Sequence, residues 1–309
     1  MNLTELGGQA TSRLGFGCGR LVGGAGMRGS VALVEAALEL GIRHFDTAPS
    51  YGLGTSEDVL GTALAGVDDV TIVTKVGQSR PKNGGAKALA RQILRPLLSL
   101  TPGLKTRVAA AASGRAQTAF NVDDMRASIA ESLRRLRREA VTGVLLHEIP
   151  REAMTDSVAE ELTDWRARGL VAAAGSGTGL ALDSLVPFGD IAQFMWQPRT
   201  KVDAPRWRIL HGALRHYPRP DHISIEQIDL LRQLGRDPAD PAAWSGALLT
   251  LALMEDRSTI LLVSSTEVSR LRIAVNSIDW SMAATGESAA IDLHLALLGL
   301  NERALNSGI

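Results

Sequence analysis

A single cysteine, Cys18, stands in the 309 residues, which excludes a disulfide framework within the chain. Neither sign of charge dominates: lysine plus arginine number 33, and so do aspartate plus glutamate. The chain therefore lacks the positive field on which nucleic-acid binding relies, and no nucleic-acid partner is expected. Apolar runs such as Ala247 to Met254 fall far short of the ~20 residues that a membrane-crossing helix needs. The opening MNLTELGGQA has neither the basic nor the apolar region of a secretory signal. With the lone thiol, this gives a cytoplasmic expectation. No metal-ligand spacing occurs among the six histidines, so no metal is expected. One absence is local: from Val70 through Val122 there is no acidic residue, whereas Lys75, Arg80, Lys82, Lys87 and Arg91 open a basic run. This reads as a long basic insertion at about 78–122 after the third strand. It is either a solvated surface loop or a screen over an anionic cofactor or substrate.

What is present is alternation. Short apolar, often β-branched runs predict strands at 14–18, 43–46, 70–75, 143–147, 171–174, 190–194, 207–211 and 259–263. Helical spacing predicts helices at 30–40, 56–64, 123–138, 152–168, 179–186, 224–234, 241–254 and 266–278. Thr55 with Asp58 has capping-box spacing, and Asp240-Pro241 places an N-cap before a proline. Met125, Ile129, Leu133 and Leu136 share one helical face, leaving the arginine run at 134–138 mostly on a solvated one. Eight strand-plus-helix units without a composition break predict a single-domain α/β fold over 1–309, a (β/α)8 TIM barrel.

Three successive predicted strands end in residues that can do chemistry. The first delivers Asp46, followed by a glycine-rich turn carrying Tyr51. The run VTIVTKVG ends its strand at Lys75, and VLLH ends the next at His147. A tyrosine titrates near 10 and is a poor acid at neutrality unless a positive charge favours its phenolate. Lys75 supplies such a charge. Asp, Tyr, Lys and His gathered at strand ends form a constellation that packing alone explains poorly.

These residues resemble the aldo-keto reductase family. FDTAPSYG with SEDVLG, the TKVG strand end, SLRRL before a strand closing on His, and AAGSG follow its pattern in order, from about Leu14 to Asn276. The resemblance implies a (β/α)8 barrel that moves hydride from NADPH to a small-molecule carbonyl. It makes Tyr51 the general acid, Lys75 the group that lowers its pKa, Asp46 the partner of Lys75, and His147 the donor that orients the carbonyl. It also implies cofactor contacts. Gln193 matches a glutamine that bonds the nicotinamide carboxamide, and His211 falls where a tyrosine stacks on the ring. Ser265 and Arg270 match contacts to the adenosine 2′-phosphate. The pattern is departed from where Gly177-Thr178 replaces a Ser-Asn pair, where Ser264 replaces a lysine or glycine, and where Ala274 replaces an asparagine.

Three other readings stay open on the sequence. Gly24-Ala-Gly-Met-Arg-Gly29 has the spacing of a dinucleotide-binding fingerprint, with Asp46 at a suitable distance. Lys75 could form a Schiff base, although Asp46 beside it works against a free amine. The barrel could also have altered or lost redox chemistry and act as a redox-neutral enzyme or a binding protein. Substrate identity and oligomeric state are not readable from the chain.

Overall fold

The computed structural model describes residues 1–81, 120–199, 206–218, 222–256 and 258–299; most of the basic insertion, 82–119, lies outside them. A hairpin of β1 (Leu3–Leu6) and β2 (Gln9–Ser12) precedes eight parallel strands. These are β3 (Leu14–Gly17), β4 (His44–Asp46), β5 (Thr71–Val76), β6 (Val141–His147), β7 (Val171–Gly177), β8 (Ile191–Met195), β9 (Trp207–His211) and β10 (Ile260–Val263). Each pairs with the next and β10 pairs with β3, closing the barrel. All eight predicted strands are found. Helices cover them: α1 (Met27–Glu39), α2 (Ser56–Ala63), α3 (Val122–Leu136), α4 (Asp156–Ala167), α5 (Ile225–Gln233), α6 (Ala243–Met254), α7 (Val268–Asn276), α8 (Trp280–Thr285) and α9 (Ser288–Leu297). The architecture is the (β/α)8 TIM barrel.

Strand parity builds two cores. Phe16, Phe45, Ile72, Val144 and Leu146 point outward and pack under the helices. Val73, Leu145, Ile191, Ile209 and Leu262 fill the lumen, with Leu6 of the hairpin beside them. Because side chains alternate with period two, the inward set continues to the strand ends as Asp46, Lys75, His147, Gln193 and His211. The same parity that fills the barrel gathers these five polar side chains at one mouth.

Several local expectations are corrected. The helix predicted at 179–186 is a single 3-10 turn, Leu182–Ser184, because Leu185 is already extended and Pro187 biases the residue before it away from helix. Thr55 caps no amide of α2; its hydroxyl donates to Gly52 O and accepts from Gly23 N, so the expected capping box does not form. Gly19 to Gly23 form no strand and Gly24–Gly26 is a 3-10 turn, which removes the strand the dinucleotide fingerprint needs. The arginine run is not simply solvated. Arg135 meets Asp58 at 2.5 Å and Arg138 meets Asp68 at 2.8 Å, tying α3 to α2 and the turn that follows it.

At the floor of the barrel His44 is fully buried, its Nδ1 2.9 Å from Thr71 Oγ1, which lies 2.8 Å from Thr11 Oγ1 of the hairpin. Burial, the dominant cause, lowers its pKa to about 4. An unfolded histidine titrates near 6.5. Between those values the unfolded chain binds a proton that the folded chain refuses, so this stability is complete above about 6.5 and is lost as pH falls toward about 4. Denaturant midpoints measured from pH 7 down to 4.5 should fall more steeply for the wild type than for His44→Gln; equal slopes would contradict this account.

Candidate active site

Asp46 and Lys75 sit side by side on β4 and β5, both essentially buried. Lys75 Nζ donates to both carboxylate oxygens of Asp46, at 2.7 Å each, and to Thr47 O at 3.1 Å. Gln193 Nε2 donates to Asp46 Oδ2 at 2.7 Å. A buried charge is tolerable only when it is paired and hydrogen-bonded, and here both partners are. Burial alone would depress the Lys75 ammonium, but Asp46 and then Tyr51 outweigh it and hold the pKa above its usual value. Lys75 is therefore a cation, unsuited to Schiff-base attack.

Tyr51 enters from a loop whose shape is demanded by close backbone approach. Gly52 adopts φ +56°, and a Cβ there would lie 1.7 Å from Leu21 O. Its amide donates to Gly19 O at 3.1 Å. A second tie comes from buried Glu57, which accepts from Thr74 Oγ1 at 2.7 Å and is ion-paired to Arg80, while Arg80 Nη1 donates to Gly54 O at 2.6 Å. The Tyr51 ring is thus presented to Lys75 Nζ, 4.9 Å from its centroid, and to the His147 ring, 5.8 Å away at 85°. Burial raises the phenol above its ordinary pKa, while Lys75 pulls it down. The sequence expectation of a lowered pKa thus has the right sign for Lys75 alone, with burial the larger effect. Burial, reinforced by Lys75, lowers His147 to about 3, so its ring is neutral and can both donate and accept a hydrogen bond.

These residues line one cavity of about 480 Å³ at the C-terminal mouth of the barrel, where (β/α)8 enzymes place their chemistry. Asp46, Tyr51, His147, Gln193 and His211 all border it; Lys75 lies beneath, behind Asp46 and Tyr51. His211 Nε2 is 3.0 Å from Thr178 O, and since a carbonyl only accepts, that nitrogen carries the hydrogen. Ser265 and Arg270 are not among the lining residues. Ser265 Oγ bonds the backbone of Glu267, and Arg270 Nε lies 3.1 Å from Glu267 Oε2.

Sequence reasoning missed three features of this cavity. Arg20 and Arg215 line it from two different loops, where no spacing signals them. Glu148, next to His147, has a left-handed backbone (φ +55°), and its carboxylate accepts from Thr178 Oγ1 and Gly179 N. It thereby holds the Gly177-Thr178 turn that stands where a Ser-Asn pair was expected. Among the described residues no group of three or more His, Cys, Asp or Glu could hold a metal ion. No described helix is long and apolar enough to cross a membrane.

The pattern of the Aldo/keto reductase family matches residues 13–179, more than half of the chain. The chain belongs to that family. It is 35% identical over 155 residues to a D-threo-aldose 1-dehydrogenase from a Pseudomonas species, covering 48% of this chain and 43% of that enzyme. It is 36% identical over 87 residues to pyridoxine 4-dehydrogenase from Escherichia coli, covering 26% of this chain and 30% of that one. The chain thus matches less than half the length of these curated relatives. Among solved structures, an aldo-keto reductase from Bacillus halodurans in its holo form aligns with TM-score 0.66 at 18% identity, covering 96% of each chain. The glycerol dehydrogenase from Gluconobacter oxydans aligns with TM-score 0.66 at 18% identity, covering 97% of this chain and 96% of that one. At such identity the likeness is one of fold.

The Asp46–Lys75 pair yields a direct expectation. Asp46→Ala leaves a buried, unpaired ammonium and should destabilise the fold by about 3–5 kcal/mol. The double variant Asp46→Leu/Lys75→Met should recover most of that loss in denaturant titrations. A double variant no more stable than the single one would show that charge pairing is not what holds the mouth together.

Proposed function

We propose that this chain is a nicotinamide-dependent oxidoreductase that interconverts an aldehyde or ketone with its alcohol, Tyr51 exchanging the proton. The reading is carried by one observation: an ammonium held by a buried carboxylate stands against a tyrosine ring that shares a cavity with a neutral histidine. The two curated relatives are named as dehydrogenases, so the reading includes alcohol oxidation as well as carbonyl reduction. NADPH is the cofactor form the sequence resemblance implies, through Ser265 and Arg270.

When bound, the nicotinamide supplies or accepts the hydride. The chain's own residues do the rest. As hydride reaches a carbonyl carbon, negative charge grows on oxygen, and a preplaced donor stabilises it. Tyr51 delivers the proton there, and Lys75 stabilises the phenolate left behind. His147, neutral at working pH, donates the second hydrogen bond that aims the carbonyl. In the oxidising direction the same phenolate removes the alcohol proton. Gln193 holds Asp46 with its amide nitrogen and borders the cavity, where a nicotinamide carboxamide could reach its amide. The guanidinium groups of Arg20 and Arg215 suit the cofactor's pyrophosphate. The redox-neutral and ligand-binding alternatives rest on the departures at Gly177, Ala274 and His211, and a lack of dinucleotide binding in tryptophan-fluorescence titration would favour them.

Tyr51→Phe removes the proton donor and little binding surface. It should lower turnover by about 10²–10⁴-fold while the dinucleotide affinity, followed by tryptophan fluorescence, stays within twofold. Near-normal turnover would sink the proposed role. In Lys75→Met the phenol loses the cation that pulls its pKa down, so the pH limb of alcohol oxidation should move to higher pH; an unmoved limb would argue against Lys75 acting on Tyr51.

A further inference from the structure

Building on the oxidoreductase reading, we infer that the dinucleotide this cavity selects is the non-phosphorylated one, NAD(H), and that Glu267 makes the choice. The cavity runs from Tyr51 and His147 past Arg20 and Arg215 to Leu262, Val263 and Ser264 at the end of β10. A dinucleotide with its nicotinamide against Tyr51 therefore brings its adenosine to the turn between β10 and α7. The two forms differ there by one phosphate monoester, which carries between one and two negative charges near neutrality and calls for cations and free donors.

At that turn both nearby arginines are already ion-paired and both serines next to the cavity are already hydrogen-bonded. Ser264 Oγ donates to Gly17 O at 2.8 Å, and Ser265 Oγ donates to Glu267 O at 2.7 Å while accepting from Glu267 N at 3.0 Å. Arg270 lies against Glu267 Oε2, and Arg272 pairs with Glu39 at 2.6 Å. Position 274, at the far side of the turn of helix, is alanine. Over 264–270 the one cation and the one anion cancel. Glu267 itself is the N-cap of α7, with extended backbone and a half-exposed carboxylate. An exposed ion pair is weak and could open, but opening it would leave the carboxylate beside the incoming phosphate. A carboxylate in that place accepts a hydrogen bond from a ribose 2′-hydroxyl, the same device by which dinucleotide folds choose NAD. Glu267 thus attracts one form and repels the other, which departs from the NADPH expectation drawn from Ser265 and Arg270.

The test is calorimetric or fluorescence titration of the full chain with NAD⁺ and, separately, NADP⁺. The wild type should bind NAD⁺ at least tenfold more tightly. Glu267→Gln, a surface change that leaves the fold intact by circular dichroism, should narrow that ratio about tenfold, chiefly by improving NADP⁺. A wild type that prefers NADP⁺, or a ratio untouched by Glu267→Gln, would overturn the inference and leave the oxidoreductase reading standing. If neither dinucleotide binds, both are overturned.

Discussion

Everything at the barrel mouth depends on one buried ion pair. Asp46 and Lys75 could not be taken out of water separately, because an isolated buried ion has no substitute for its lost hydration. Together they can, since the carboxylate receives the ammonium on both oxygens and the Gln193 amide on one, and the ammonium also reaches Thr47 O. Once fixed, the pair does two things at a distance. It keeps a positive charge under the Tyr51 ring, and it contributes to keeping His147 uncharged. The chemistry proposed for the mouth is therefore a by-product of how two charges were made tolerable in a core.

How much of this was visible in the chain follows from where each signal comes. Strands buried on both faces must be continuously apolar, and each such run stood out. Asp46, Lys75 and His147 were visible because a charged or polar residue closing an apolar run has few bland explanations. Features set by tertiary contact were not visible. At the start of the segment expected to be a helix, 179–186, Glu148 and Thr178 accept from the amides of Gly179 and Leu180, contacts that local spacing does not encode. Thr55 has the right spacing for a cap, yet its hydroxyl joins two loops. The hairpin at 3–12 lacks a strong apolar alternation, and only its place under the lumen makes Leu6 a core residue. Arg20, Arg215 and Glu148 belong to loops, where side-chain direction depends on contacts that no local spacing encodes.

The cofactor half of the site shows why a motif match is weaker than an inventory of free atoms. Ser265 and Arg270 are present at the matching positions, yet both are committed to Glu267. Arg20 and Arg215 behave in the opposite way, bordering the cavity from segments that carry no recognisable pattern.

Strand parity has a consequence for how such a protein can change over time. Apart from the tightly packed turn that carries Tyr51, loops at the mouth can lengthen or shorten without disturbing strand register, because they begin after the last inward residue. A deletion of one residue inside β5 would instead turn Lys75 toward the helices and bring a neighbour of opposite orientation into the lumen. The barrel therefore meets variation with two very different tolerances, a wide one at much of the rim and a narrow one in the strands that hold Asp46, Lys75 and His147 in register.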